Sequence, residues 1–192
     1  MAEPQFKGAQ RRPPEGPRKV RSGVKLRGQD GPEITTWVGR RWFRIAEEAA
    51  SSEHMAAGVT YALQGQTRAL ELGAAAVTGL VQGRRYRAYK TTLAVAPFSD
   101  EQWGDVVQRL ADDGVVAARL LAGELPLNIE DFFAPAGLHL FPADPAEVTP
   151  SCECGHPGPW CKHACCLAAL AAEALERDPF QIFLLRGLSP EE

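Results

Sequence analysis

The chain has 192 residues, 45% of them hydrophobic and 23% charged, enough for one buried core, alone or with a small appended module. It contains no run of 18 apolar residues, so no membrane-spanning helix is predicted, and it lacks an apolar N-terminal signal segment that would suit an exported disulfide scaffold. The net charge of −3 hides a segregation, with residues 1–45 summing to +7, residues 61–95 to +4 and residues 96–192 to −11, so the front half is cationic, as a nucleic-acid or acidic-partner surface would be.

Residues 1–19 hold Pro4, Pro13, Pro14 and Pro17 among Arg, Gln and Gly, a composition with little to bury that predicts a disordered basic tail. Order is expected from about Val20 to Leu26. Trp37 to Ala50 predicts an amphipathic helix capped by Thr35 or Thr36. Val38, Trp42, Ile45, Ala46 and Ala49 form its apolar stripe, and Arg44 is placed to pair with Glu48. Thr67 to Leu72, Ala75 to Gln82 and Arg85 to Val95 alternate as strands of an antiparallel meander turning at Gly73 and Gly83, with a fourth strand near Val59 to Leu63. In the third strand Arg85, Arg87 and Tyr89 fall on one face and Tyr86, Ala88 and Lys90 on the other. With Arg84 they form a basic-aromatic set suited to phosphates and bases, though a solvated sheet face would use the same residues.

Ser99 with Gln102 predicts a capping box that opens a helix carrying Trp103, Val106, Val107, Leu110 and Ala111. Val115 to Ala122 predicts a short buried helix, and Asn128 caps another that contains Phe132 and Phe133. Leu138 to Phe141 reads as extended, and the acids Asp112, Asp113, Glu130 and Asp131 as helix ends or exposed faces. The body, residues 20–148, is therefore α+β: a small antiparallel meander packed with several helices.

Cys152, Cys154, Cys161 and His163 form a C-x-C-x6-C-x-H cluster. These are the donors zinc prefers, and four protein ligands in a tetrahedron make a structural site. On an extended chain Cys152 and Cys154 point to one face. Cys161 must lie just before the first turn of the following Ala/Leu-rich helix and His163 just within it, where free N–H groups offset thiolate charge. His156, Cys165 and Cys166 remain alternative ligands, although free cysteines such as the last two are commonly buried apolar residues. Behind His163, Leu167, Leu170 and Ala174 continue its face, so metal binding would fix this helix to the body, and metal loss is expected to loosen residues 150–190 first.

The cluster resembles the SWIM zinc finger of Swi/Snf-type helicases, transposases and small bacterial proteins. Supporting segments are Thr36-Trp37-Val38-Gly39-Arg40-Arg41-Trp42, Val81-Gln82-Gly83 before Tyr86, Leu140-Phe141-Pro142, Asp178-Pro179-Phe180 and Phe183-Leu184-Leu185-Arg186-Gly187. The resemblance covers roughly residues 20–188 and implies a finger over 149–178 built as a β-hairpin plus helix, followed by a C-terminal helix and tail over 179–192. It also implies one structural Zn²⁺ and work beside a Swi/Snf-type helicase, bound to protein or nucleic acid, in the cytoplasm or at the nucleoid.

Two function classes follow: a zinc-stabilised interaction module without catalysis or a small-molecule substrate, and a zinc- or thiol-dependent hydrolase. The sequence lacks HExxH and phosphate-loop motifs, and four protein ligands leave no position for water, which favours the module. Trp160 in the spacer is the expected aromatic anchor for a protein partner.

Overall fold

A computed structural model of the protein describes residues 16–188. Residues 1–15, most of the expected tail, lie outside the described residues. The elements in chain order are α1 (Trp37–Ala49), α2 (Ser52–Leu63), β1 (Thr67–Gly73), β2 (Ala76–Val81), β3 (Tyr89–Val95), α3 (Asp100–Asp112), α4 (Gly114–Leu121), β4 (Val148–Cys152), α5 (Lys162–Arg177) and α6 (Gln181–Leu185). The fold is α+β, with one four-stranded antiparallel sheet ordered β1-β2-β3-β4.

The meander forms where alternation places it, and β2 pairs with β3 from Ala76↔Ala94 to Val81↔Tyr89. The fourth strand differs from the expectation. Residues 59–63 belong to α2, whose N-cap Ser51 accepts a bond from the His54 N–H, and the sheet edge is completed instead by β4, in register from Thr91↔Cys152 to Val95↔Val148. Valine, threonine and tyrosine in that stretch suit a strand locally, but Gly58, Tyr61 and Ala62 turn inward together at helical spacing. The third strand is also shorter than expected. It begins at Tyr89, and Arg84 to Arg87 form the loop before it.

The core is organised around α5, which sits between the α1–α2 pair and the sheet and touches both. Thirteen of its residues, His163 to Leu175, are buried, and a helix apolar on all sides is stable only inside a core. Small side chains let its neighbours approach closely. A Cβ on Gly58 of α2 would lie 2.5 Å from Cys165 Cβ and 2.8 Å from the Cys166 nitrogen, and one on Gly79 of β2 would lie 2.5 Å from Leu167 Cδ1. Gly58→Val is therefore expected to destabilise the fold by about 1–3 kcal/mol through overpacking, read as a lowered urea midpoint. An unchanged midpoint would show that α2 and α5 are free to separate.

Two acids near the end of α5 fasten the segment that precedes α1. Buried Glu173 accepts from the Arg27 and Glu33 N–H groups, and Glu176 accepts from the N–H and hydroxyl of both Thr35 and Thr36. Thr36 is the N-cap of α1, but its hydroxyl turns to Glu176 instead of capping its own helix. Burial pushes the Glu176 carboxyl up, yet these donors together outweigh it and hold the group below its ordinary value. Trp42 is buried, Trp37 is half-buried, and Arg44 pairs with Glu48 at 3.2 Å, as the sequence predicts.

The acidic half departs from expectation in three places. The capping box at Ser99 forms, but α4 buries only Val116 and leaves Val115 and Leu121 exposed. Residues 129–132 and 134–136 are short 3-10 turns, and Asn128 makes no side-chain cap. Leu140 and Phe141 are buried in a loop outside the sheet. Their N–H groups are satisfied by the carboxylate of Glu130, so this acid is neither an exposed face nor a helix end alone.

Candidate metal centre

The four ligand atoms of Cys152, Cys154, Cys161 and His163 all lie within 4.8 Å of one another. Three parts of the fold deliver them. Cys152 ends β4 and is held opposite Thr91, whose hydroxyl lies 3.3 Å from its sulfur. The chain then turns through Cys154 with Gly155 at φ +77°, so the two sulfurs converge across a turn and not along a pleat, as simple alternation had implied. Glu153, between them, is exposed. Its carboxylate accepts from the Lys90 N–H at 3.0 Å while its own N–H donates to the Lys90 carbonyl, which continues the β3–β4 pairing. Cys161 is the N-cap of α5 and His163 lies in its first turn, as the spacing predicts.

The side-chain geometry fits a tetrahedral ion. Zinc–sulfur and zinc–nitrogen bonds of about 2.3 and 2.0–2.1 Å imply sulfur–nitrogen edges of about 3.6 Å. His163 Nδ1 lies 3.7 Å from Cys152 Sγ and 3.8 Å from Cys161 Sγ. Nδ1 is therefore the donor atom, and Nε2 faces away. Backbone N–H groups of Cys154, His156 and Ala164 bond the sulfurs of Cys152, Cys154 and Cys161 respectively, which provides the hydrogen bonding that anionic sulfurs require in a half-buried site.

The hydrogen bond from Cys152 holds Cys161 far below its ordinary value, at about 3, against the opposing effect of burial, with His163 and the Ala164 N–H assisting. The same bond, with burial, pushes Cys152 up, and burial raises Cys154. A metal entering this set displaces protons from Cys152 and Cys154, so affinity falls as pH falls.

The other candidates are placed apart from the four. Cys165 and Cys166 are fully buried, pushed up to about 12 chiefly by desolvation, and Cys166 lies against the Thr67 hydroxyl at 3.4 Å. His156 bonds Gly158 and packs edge-to-face on His54 with ring centroids 4.5 Å apart. Trp160 is only 8% exposed and belongs to the core, so it cannot serve as the expected exposed anchor; the C-x6-C spacer folds its indole inward just before α5 begins.

The basic-aromatic set is only partly a strand face. Arg84, Arg85, Tyr86 and Arg87 are exposed on the loop after Gly83, while Tyr89 and Lys90 open β3. The structure adds residues the sequence did not single out, namely His54 and Tyr61 of α2 and Lys162 of α5, which line one cleft of about 430 Å³ with Arg84, Tyr89 and His163. Helical spacing of His54, Gly58 and Tyr61 was the available signal, obscured because Val59 to Leu63 resembles a strand.

No protein-family model matches the chain, and no solved structure matches it. The chain is 38% identical over 180 residues to the uncharacterized protein Rv2102 of Mycobacterium tuberculosis. The aligned stretch covers 94% of this chain and 65% of that protein, so the chain spans about two thirds of its relative's length.

Proposed function

We propose that the protein is a zinc-stabilised, non-catalytic interaction module whose C-terminal segment is a SWIM-type finger, acting as a protein- or nucleic-acid-binding accessory beside a Swi/Snf-type helicase. The observation that carries this reading is the convergence of three sulfurs and one imidazole nitrogen within 4.8 Å. A sulfur-rich tetrahedral donor set suits Zn²⁺ above other common ions. With four protein donors the ion has a filled shell, and its work is to fix β4 against α5. The Glu153 carboxylate, the nearest in sequence, is engaged with the Lys90 N–H and does not face the cluster as a base would.

The hydrolase reading has one point in its favour, the depressed Cys161 thiol beside His163. Both residues are buried, at 2% and 4% exposure, and present only that small surface to the cleft they help to line, which weighs against Cys161 as a nucleophile. Cobalt substitution separates the two readings. The module is expected to give intense ligand-field and sulfur-to-cobalt bands that added azide or cyanide leaves unchanged; bands that shift with those anions would reveal an open coordination position and favour hydrolysis.

A further inference from the structure

Beside the metal cluster, α2, the loop after β2 and the start of α5 enclose the cleft of about 430 Å³, within the range of about 300–1,000 Å³ typical of ligand sites. Its wall includes the His163 ring, packed between Tyr61 and Tyr89 with centroids 5.5 and 4.8 Å away. With Nδ1 facing the sulfurs, Nε2 is the ring nitrogen left for another partner. That atom is buried and has no hydrogen-bond partner among the described residues. Arg84 and Lys162 supply positive charge to the cleft, against Glu53 and the sulfurs of Cys154 and Cys161, whose charge a bound zinc ion would largely offset.

Above it, the Arg84-Arg85-Tyr86-Arg87 loop exposes 84% of Tyr86, the most solvent-exposed aromatic side chain among the described residues. Three cation–aromatic pairs ring this region: Arg18 over Tyr86 at 5.5 Å, Arg85 over Tyr89 at 6.0 Å and Lys162 over Tyr61 at 4.7 Å. Cations that track phosphates, interleaved with aromatic faces that stack bases, are what single-stranded nucleic acid requires. A duplex hides its base faces inside its own stack and is too wide for a recess of this volume. An acidic peptide would use the cations and leave the exposed tyrosine without a role.

We propose that the 84–87 loop and the cleft below it bind single-stranded nucleic acid, with Tyr86 stacking a base and Arg84 and Lys162 holding phosphates of a nucleotide seated beside His163. The proposal rests on the reading of the protein as a non-catalytic interaction module and names its partner.

The test is fluorescence anisotropy of a labelled oligothymidylate of about 20 nucleotides with the full chain, run beside a duplex of equal length, with polyglutamate as competitor and zinc content measured for every sample. Binding should weaken with salt, and Arg84→Gln with Lys162→Gln should shallow the log–log slope by about 1.4, since each single-strand phosphate contact contributes about 0.7. Tyr86→Ala should weaken binding about tenfold without changing the slope, as loss of one stacked base does. Arg84 and Tyr86 lie outside the metal set, so their variants carry the test if Lys162→Gln disturbs zinc. Metal-replete protein that ignores the oligonucleotide, binds duplex equally well, or releases it to polyglutamate at equal charge overturns the proposal and leaves the metal-stabilised module standing. Wild-type protein without metal overturns the module reading itself.

Discussion

Cys161→Ser is expected to reduce bound metal to a small fraction of one equivalent and to lower the thermal midpoint by about 10 °C or more. Serine keeps the N-cap of α5 but replaces a thiolate ligand with a hydroxyl that binds zinc far more weakly. Structural zinc binding is worth about 10–16 kcal/mol in small fingers. A third to a half of that, at about 2–4 °C per kcal/mol for a domain of this size, gives a fall of roughly 7–30 °C, which brackets the predicted one. Damage should spread beyond residues 150–190, the stretch expected to loosen first, because α5 touches α1, α2 and every strand. Hydrogen exchange with and without chelator should show protection lost in β2 and α2 as well as α5. Cys165→Ala is the control: its sulfur lies outside the ligand set, so metal content should be unaffected. If Cys165→Ala lost the metal and Cys161→Ser retained it, the assignment of ligands would be wrong.

Arg186→Ala should cost about 3–5 kcal/mol, the usual effect of removing one partner from a buried charged network. Arg186 is 2% exposed, and its guanidinium donates to the carbonyls of Leu140 (2.8 Å), Ala96 (3.0 Å) and His139 (2.8 Å) and to Glu147 (3.3 Å), while resting on the Phe98 ring. Its own carbonyl accepts from Trp103 Nε1 and the Phe98 N–H. Burial pulls its pKa down and the Glu147 carboxylate opposes that, so the charge is retained because it is hydrogen-bonded on all sides. One side chain thus joins α6, the segment after β3 and the loop leading to β4. Arg186→Lys should recover less than half of the loss, since an ammonium cannot reproduce the planar fork. Urea unfolding of both variants measures this, and a lysine variant as stable as wild type would refute the hydrogen-bond argument. Metal content should be native in both, because none of these partners is a ligand.

Both predictions bear on what the sequence could disclose. Local signals read well where one physical rule governed: the 3.6-residue stripe of α1, the Ser99–Gln102 box, and the placement of Cys161 before α5 with His163 inside it. Readings failed where tertiary contacts decided. Residues 59–63 have strand-like side chains, yet Gly58 and Tyr61 are needed against α5, so the stretch is helical and the sheet takes its fourth strand from residues 148–152, more than 50 residues after β3. Glu130, Glu173 and Arg186 look like ordinary surface charges in sequence. Their roles depend on backbone groups 10, about 140 and up to 90 residues away, which no local pattern encodes. The convergence of Cys152, Cys154, Cys161 and His163 was legible because metal geometry restricts donor type and spacing together. The cleft was not, because Arg84 and Lys162 meet across it only after the loop and α5 are in place.

The most direct measurement is the metal content of the full chain purified without chelator or metal-affinity steps, by elemental mass spectrometry against quantified protein. The account predicts one equivalent of zinc per chain, released by acid together with a loss of α5 protection. Protein that is folded, monodisperse and free of stoichiometric metal, with unchanged stability after chelation, would contradict it.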